Sequence, residues 1–432
     1  MEVREPSAPY VTDAKLQQTE IGPLPVDWSV VPLISLAEKV MVGIASAATH
    51  AYRSTGVTMF RNQNIRPGGL ETQDVLYIDP QYEQSYKNKR LKAGDLLTAR
   101  TGYPGTTSLV PDGFDGAQSF TTLITRPRAG SVDPQYLCLY INGRAGQRYF
   151  EQAQIGGGQK NVNAASLKLL PVALPATGRE QRAVARALTD ADALIDSLEQ
   201  LLTKKRQIKQ GAMQELLTGT RRLPGFTQEW SWLRLGDIGQ TYGGLVGKSK
   251  LDFGHGSAKY VTFMNVMSNV QTSPNAVESV HIEPSESQNP VQAGDLLFNG
   301  SSETPEEVAL CSWVEDCQEN LFLNSFCFGF RPTTSGRISG LFMAYFFRAR
   351  PGRVAVSSLA QGATRYNIAK TALLRVSLKL PAYEEQVAIA QVLSDMDAEI
   401  TALEARLTKA RALKQAMAQA LLTGRIRLPV AT

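Results

Sequence analysis

The sequence predicts a mixed α/β fold with two domains of short-stranded sheets, joined by two long helices that form an antiparallel coiled coil. Three observations support this architecture. The second half of the chain repeats the first, the most similar parts of the repeat have helical periodicity, and charge is distributed unevenly along both helices. Together they predict a pseudo-two-fold internal repeat, made by duplication of a domain plus a helix.

The repeat is clearest in two segments near the middle and the end of the chain. Residues 180–224 and 385–429 are identical at 25 of 45 positions when they are aligned at a shift of 205. The motif Ala-Gly-Asp-Leu-Leu also occurs twice, at 93–97 and 293–297. We therefore divide the chain into an N-terminal arm (1–20), a first domain (21–178), a first helix (179–222), a second domain (223–384) and a second helix with the C-terminal tail (385–432).

Both repeated segments have the apolar spacing of a coiled-coil helix, with alternating steps of four and three residues. The first series is Val184, Leu188, Ala191, Ile195, Leu198 and Leu202. The second is Ile389, Leu393, Met396, Ile400, Leu403, Leu407 and Ala410. Gly219 and Gly424 provide C-terminal stop signals, and Pro224 and Pro429 follow them.

The charges predict how the two helices pair. Each helix is acidic in its first part and basic in its second, for example Asp192 before Lys209 and Asp397 before Lys414. In an antiparallel pair each acidic part lies against the basic part of the other helix, whereas a parallel pair would bring like charges together. A single exposed ion pair contributes only about 0.2–1 kcal/mol, but several such pairs together favour the antiparallel orientation.

Composition excludes several classes of protein. The net charge of +5 permits a nucleic-acid partner without requiring one. The longest nearly apolar run, 338–347, is too short to span a bilayer, so we predict a buried helix there and no membrane segment. The N-terminus has no signal-peptide pattern, and the four cysteines and three histidines match no zinc motif. These features favour a cytoplasmic protein that itself binds no metal.

No convincing catalytic motif is present. Residues 243–249 (Gly-Gly-Leu-Val-Gly-Lys-Ser) leave three residues between Gly243 and the Gly-Lys-Ser, whereas a phosphate-binding P-loop needs four. We interpret this segment as a strand followed by a glycine loop with exposed basic residues. The chain also lacks an amino-methylation motif, a nucleophile elbow and a paired His-carboxylate cluster. We therefore expect no covalent chemistry and no cofactor in this chain.

Three regions of each domain are instead rich in side chains that suit nucleic acid. Arg and Lys match guanine edges, Asn and Gln match adenine edges, and hydroxyl groups bind phosphate. The candidates in the first domain are Arg61, Asn62, Gln63, Asn64, Arg66, Arg100, Thr101, Tyr103, Gln159, Lys160 and Asn161. Those in the second domain are Lys248, Ser249, Lys250, Asn265, Asn299, Ser301, Ser302, Arg365, Tyr366 and Asn367. Any one of them could simply form a turn, but similar regions recur in both halves.

These features resemble the DNA-specificity subunits of type I restriction–modification enzymes. The resemblance rests on the paired Ala-Gly-Asp-Leu-Leu motifs, on Leu-Leu-Thr-Gly at the end of each helix, on Glu385-Gln386 after the second domain and on residues 159–163. It covers the chain from about Ile21 to Pro429. One motif alone would be weak, whereas the ordered pair of sets is specific.

The resemblance implies a function and a set of partners. Each domain would be a target-recognition domain that reads one half of a bipartite, asymmetric site in double-stranded DNA. The helices would fix the unread gap and dock two methyltransferase subunits, joined in some complexes by two motor-nuclease subunits. S-adenosylmethionine, ATP and Mg²⁺ would then belong to those partner subunits.

Two other classes of function compete with this interpretation. A free-standing enzyme acting on nucleic acid is disfavoured because no metal, nucleotide or nucleophile motif is found. A coiled-coil scaffold whose globular domains bind protein or sugar remains the alternative, and the modest charge is compatible with it. The Asn- and Arg-bearing loops at similar places in both halves favour DNA.

Overall fold

The computed structural model describes residues 15–46, 48–153, 161–362 and 365–429. They belong to two compact units. The first unit comprises the chain up to Glu199 and the segment from Arg406 onward, and the second unit is Gln200–Ala405. Each unit therefore contains one α/β domain and a part of each long helix.

The first unit contains fourteen described strands. They are β1 (Leu16–Thr19), β2 (Gly22–Pro25), β3 (Ser29–Pro32), β4 (Ala37–Val42), β5 (Tyr52–Arg53), β6 (Val57–Phe60), β7 (Ile65–Arg66), β8 (Gly69–Leu70), β9 (Leu76–Ile78), β10 (Leu96–Thr98), β11 (Thr107–Leu109), β12 (Gln118–Ser119), β13 (Leu123–Pro127) and β14 (Pro171–Leu174). Its short helices are α1 (Leu33–Leu36), α2 (Pro80–Gln84), α3 (Pro134–Asn142), α4 (Arg144–Ala153) and α5 (Ala164–Leu169), and the long helix α6 (Gly178–Leu216) begins here.

The second unit repeats this plan with fewer strands. They are β15 (Ser231–Arg234), β16 (Gly239–Gly243), β17 (Phe253–Val261), β18 (Val277–Val280), β19 (Leu296–Asn299), β20 (Ser301–Ser302), β21 (Cys311–Trp313), β22 (Leu321–Leu323), β23 (Cys327–Pro332), β24 (Tyr366–Asn367) and β25 (Ser377–Leu380). Its short helices are α7 (Phe263–Ser268), α8 (Gly340–Arg348), α9 (Arg350–Ser357) and α10 (Lys370–Leu373), and the long helix α11 (Tyr383–Leu421) begins here.

Sheet topology confirms the duplication. An antiparallel sheet of order β11-β10-β13-β4 in the first unit corresponds to β21-β19-β23-β16 in the second. A second sheet pairs β6 with β9 antiparallel and with β12 in parallel, as β17 pairs with β18 and β22. Helix α8, which packs against β21, has all of its central residues buried. The buried helix predicted at 338–347 is therefore confirmed.

The repeated Ala-Gly-Asp-Leu-Leu motif forms the turn that leads into β10 and β19. Gly94 and Gly294 have φ angles of +84° and +89°, a left-handed conformation that favours glycine. The carboxylates of Asp95 and Asp295 accept hydrogen bonds from backbone N–H groups three residues earlier, at 2.9 and 2.8 Å. Both leucines of each motif then lie in the core.

The same two aspartates hold a buried ion pair in each unit. Arg126 binds Asp95 through Nε and Nη2 at 2.9 and 2.7 Å, and Arg331 binds Asp295 in the same way at 2.8 and 2.7 Å. In the second unit the Tyr242 hydroxyl also donates to Asp295, at 2.6 Å. Each pair joins the turn to the neighbouring strand of the antiparallel sheet.

The apolar series predicted for the helices faces inward. Nine of its thirteen residues are buried, namely Val184, Leu188, Ile195, Leu198, Leu202, Ile389, Leu393, Ile400 and Leu407. The remaining four, Ala191, Met396, Leu403 and Ala410, are half-buried. The helices end at Leu216 and Leu421, three residues before the predicted stop signals Gly219 and Gly424. Tight turns at Gly219 and Gly424, with φ angles of +72° and +65°, follow each helix end.

Ion pairs in each unit confirm the antiparallel orientation. In the first unit Lys414 pairs with Asp192, and Arg411 with Glu199 at 2.6 Å. In the second unit the pairs are Lys209–Asp397, Arg206–Glu404 at 2.5 Å and Lys205–Glu399 at 2.6 Å. Higher residue numbers on one helix meet lower numbers on the other, as an antiparallel pair requires.

The start of each repeated segment contacts the end of the other repeated segment. The buried carboxylate of Glu180, at the start of α6, binds Arg427 beyond the end of α11 at 2.7 and 2.8 Å. In the second unit Glu385 binds Arg222 at 2.5 and 2.6 Å. The identity of the Glu and Arg positions in the two copies of the repeat therefore has a structural cause. No helix within the described ranges is long and apolar enough to cross a membrane.

Candidate nucleic-acid interface

Three segments of the first domain, distant in sequence, meet at one place. The Asn62 side-chain oxygen accepts the backbone N–H of Arg100 at 2.8 Å. The Arg100 carbonyl oxygen in turn accepts the backbone N–H of Val162 at 3.2 Å. The structure thus brings together the loop after β6, the loop after β10 and the residue Asn161. The predicted residues Gln159 and Lys160 lie outside the described residues.

These loops present polar and aromatic side chains to solvent. The exposed candidates of the first domain are Gln63, Arg66, Thr101, Tyr103 and Asn161. Tyr103 is 74% exposed, which is unusual for so large a side chain. The guanidinium group of Arg61 is less free, because its Nη2 donates to an Asp74 carboxylate oxygen at 3.2 Å. The set can offer hydrogen-bond donors, acceptors and a stacking surface to a ligand.

Two of the predicted asparagines have a structural role instead. Asn64 and Asn265 are each 1% exposed. Asn64 donates to the carbonyl oxygens of Glu71 and Asp74, and Asn265 donates to those of Ser273 and Ala276. A buried amide whose N–H groups are already bonded to the backbone cannot reach a base edge. The assignment of Asn64 and Asn265 to DNA contact was therefore wrong. Their side chains instead stabilise equivalent loops in the two domains.

The second domain assembles its loops in the same way. The Gly300 carbonyl oxygen accepts the backbone N–H of Ile368 at 3.1 Å. This bond corresponds to the one between Arg100 and Val162 in the first domain. Strands β20 and β24 also pair, with Ser301 opposite Asn367 and Ser302 opposite Tyr366. Among these residues Arg365 and Asn367 are exposed, and Tyr366 is half-buried.

Several candidates of the second domain are occupied by the fold. Asn299 is buried, donates to the carbonyl oxygens of Ser301 and Glu307, and accepts the backbone N–H of Leu310. Ser301 and Ser302 are also buried, and the Ser302 hydroxyl donates to the Glu307 carboxylate at 3.0 Å. Their assignment to DNA contact was wrong because all three side chains are buried, and the Ser302 hydroxyl is already bonded within the loop.

The segment 248–250 differs from its prediction as well. The Lys248 side chain is only 3% exposed, and its ammonium group pairs with Glu286, whose pKa it lowers to about 2. Ser249 caps the following 3₁₀ turn by accepting the Leu251 N–H. Lys248 was therefore wrongly expected to be exposed and free to bind DNA. Lys250 is exposed. It lies before β17, whereas the first candidate loop of the first domain follows the corresponding strand β6.

One exposed aromatic residue beside the loops of the second domain was not predicted from the sequence. Phe326 is 55% exposed, and the guanidinium carbon of Arg365 lies 5.3 Å from the centre of its ring. Its carbonyl oxygen accepts the Gly300 N–H at 2.8 Å, and its own N–H donates to the Asn324 side chain at 2.9 Å. Asn324–Phe330 reads as a single strand, yet the strand β23 begins only at Cys327. The turn-forming Asn324 was the feature that could have revealed the exposed position.

Comparison with known proteins identifies the family. The sequence pattern described as type I restriction modification DNA specificity domain matches twice, at residues 25–210 and 227–411. Because the two matches cover most of the chain, the chain belongs to this family. The family is the one that the paired motifs had indicated.

Two relatives in Methanocaldococcus jannaschii are named as specificity subunits of the type I restriction enzymes MjaX and MjaVIII. Each is 25% identical to this chain, over 221 and 216 residues, or 48% of this chain. The chain spans about half the length of these curated relatives, 50% and 49% respectively.

Solved structures show the same fold. The HsdS subunit of Thermoanaerobacter tengcongensis has a TM-score of 0.52 and 18% identity, covering 93% of this chain and 98% of that one. The S subunit of a type I restriction–modification system from M. genitalium has a TM-score of 0.52 and 13% identity, with 94% and 97% coverage.

Proposed function

We propose that this chain is the DNA-specificity subunit of a type I restriction–modification complex and performs no covalent chemistry itself. The observation that carries the proposal is the equivalent convergence of loops in both domains. The backbone hydrogen bonds Arg100–Val162 and Gly300–Ile368 join the loops in the same way in both domains, whereas the exposed side chains on these loops differ. Equivalent loops with different side chains suit a site whose two halves have different sequences.

Each domain then reads its half-site in the major groove of double-stranded DNA. Exposed Gln63, Asn161 and Asn367 can pair with adenine edges, and Arg66 and Arg365 with guanine or phosphate. Tyr103 and Phe326 offer apolar surface to a thymine methyl group. Buried Asn64, Asn265 and Asn299 hold the loops in position and read no base.

The partners supply the chemistry. Two methyltransferase subunits bind one chain and methylate one adenine in each half-site, and two motor-nuclease subunits join where the complex cleaves DNA. S-adenosylmethionine, ATP and Mg²⁺ belong to those subunits. The complex works in the cytoplasm.

Long-read detection of N6-methyladenine tests this function. In cells that carry the methyltransferase subunit, we expect a methylated motif of two short specified blocks around a fixed gap, present only when this chain is expressed. The same cells without the chain are the control. No new motif from a chain that is folded and bound to its partner would instead support the scaffold that binds protein or sugar.

Helices α6 and α11 set the length of the unread gap in this proposal. Inserting one heptad into each helix preserves the apolar seam and is expected to change the number of unspecified base pairs while leaving the specified bases unchanged. Methylation mapping of the insertion variant measures both features at once. Altered specified bases would show that the helices take part in reading the sequence.

A further inference from the structure

The loop between β19 and β21 turns through a residue whose backbone conformation favours glycine. Ala309 has a φ angle of +56°, and its side chain makes this left-handed conformation unfavourable. Ala309 and its neighbour Val308 are completely buried, so the turn lies inside the domain. Contacts with other parts of the second domain must therefore hold this turn in place.

The guanidinium group of Arg353, on helix α9, contacts this turn directly. It donates to the carbonyl oxygens of Val308 and Ala309, and the distance from Nη1 to the Ala309 oxygen is 3.0 Å. The same Nη1 donates to the Phe347 carbonyl oxygen near the end of α8, at 3.3 Å. Burial lowers the pKa of Arg353 to about 10. The group is therefore still charged at neutral pH, although these three acceptors are neutral.

The first domain forms an equivalent turn from different residues. Gly105 has a φ angle of +91° at the position that corresponds to Ala309. Its N–H donates to the carbonyl oxygen of Ala99 at 2.9 Å, as the Ala309 N–H donates to that of Asn299 at 3.0 Å. The carbonyl oxygen of Gly105 accepts a hydrogen bond from the side-chain amide of Gln147 at 3.2 Å. A neutral amide is thus sufficient in the first domain, where the turn residue is glycine.

The loop that this turn closes is longer in the second domain. Ala309 follows Asn299 by ten positions, whereas Gly105 follows Ala99 by six. Charge-assisted hydrogen bonds are stronger than bonds between neutral groups. A charged side chain therefore suits a turn that must hold both a longer loop and a residue in an unfavourable conformation.

Hydrogen bonds connect this turn to the exposed residues of the candidate interface. The Asn299 carbonyl oxygen accepts the Ala309 N–H, and the Asn299 side chain donates to the Ser301 carbonyl oxygen at 3.2 Å. Ser301 lies opposite Asn367 where β20 pairs with β24. Asn367 is exposed, as is Arg365 just before β24. A displacement of Ala309 would therefore also displace the side chains that are available to DNA.

We propose that Arg353 is a positioning residue, which holds the turn at Ala309 so that the exposed side chains at β24 meet the bases of their half-site. This inference rests on the proposed function and adds to it a residue that acts through the loop. A side chain that cannot hold the turn should loosen the reading of this half-site and leave the other half-site unaffected. The glutamine and glycine of the first domain supply the matched replacement.

Arg353→Gln tests the assignment in the complete complex of this chain with the methyltransferase subunit. The probes are synthetic duplexes that carry the site found by methylation mapping, each with one specified base pair changed. For the wild type, we expect a mismatch in either half to weaken binding about ten-fold or more. For Arg353→Gln, mismatches in the half-site assigned by exchange of residues 223–384 should weaken binding only about two-fold. Mismatches in the other half-site should keep their full effect.

A second substitution distinguishes positioning from general damage to the domain. Arg353→Gln combined with Ala309→Gly reproduces the glutamine–glycine pair of the first domain, and we expect it to regain the discrimination of the wild type. The controls are Ala309→Gly alone and Arg234→Gln, which removes an exposed arginine of the same domain, and both should bind as the wild type does. Arg353→Lys keeps the charge without the planar fork of donors, and we expect an intermediate loss confined to the same half-site.

The outcomes of these measurements are distinct. Undiminished discrimination in both Arg353→Gln and Arg353→Lys would overturn the inference, because the loop would then keep its position without the guanidinium group. Equal losses in both half-sites, or a loss that Ala309→Gly does not restore, would also overturn it, because they would indicate general damage to the fold. A wild-type complex that does not distinguish the duplexes would overturn the proposed function together with this inference.

Discussion

Exchanging residues 21–178 for the first domain of another family member is expected to replace one half of the methylated site and leave the other half unchanged. The reason is that the first domain has its own sheets and two apolar clusters of its own, and its candidate loops are joined by bonds within the domain. Asn62, Arg100 and Val162 all lie inside the exchanged segment. All of the loops that these bonds join would therefore be transferred together.

The structure also shows where the exchange should stop. Residue 178 is the first residue of α6, and Glu180, which binds Arg427, lies just beyond it. An exchange that ends there keeps the ion pair and the helix seam of this chain. Mapping of N6-methyladenine reads the outcome, and exchange of 223–384 is the reciprocal control, expected to alter only the other half. If either exchange altered both halves, the domains would not read DNA independently.

Periodicity was sufficient to predict the long helices. The spacing of Leu188, Ile195 and Leu202 depends on local geometry alone, and these residues are buried as predicted. Their antiparallel orientation followed from a charge pattern that the ion pairs confirm. The duplication was visible in the sequence because the two helices have identical residues at many equivalent positions.

The candidate interface was harder to predict because residue type does not determine burial. Asn62 and Asn64 are two positions apart in the same loop, yet only Asn64 is buried and bonded to Asp74. Lys248 looked like an exposed base because its partner, Glu286, is 38 residues away. Phe326 looked like a core residue because Cys327 and Phe328, which follow it, are core residues. Each of these outcomes depends on contacts between distant segments, which a single sequence does not reveal.

The repeated aspartates lead to the second large effect, a loss of stability confined to one unit. We expect Asp295→Ala to lower the unfolding free energy of the second unit by about 3 kcal/mol, since removing one partner of a buried ion pair costs about 3–5 kcal/mol and Arg331 is partly exposed. The Tyr242 hydroxyl and the Gln292 N–H also lose their acceptor.

Hydrogen exchange can measure this loss in each unit separately. Backbone amides of β19 should exchange about a hundred-fold faster in Asp295→Ala, because 1.4 kcal/mol corresponds to a ten-fold change. Amides of β10, which follows the equivalent Asp95 in the first unit, are the internal control and should be unaffected. Asp316→Ala, at an exposed position, should change neither strand. Equal acceleration of β10 and β19 would mean that the two units unfold together, and no acceleration of β19 would mean that the buried pair does not stabilise the turn.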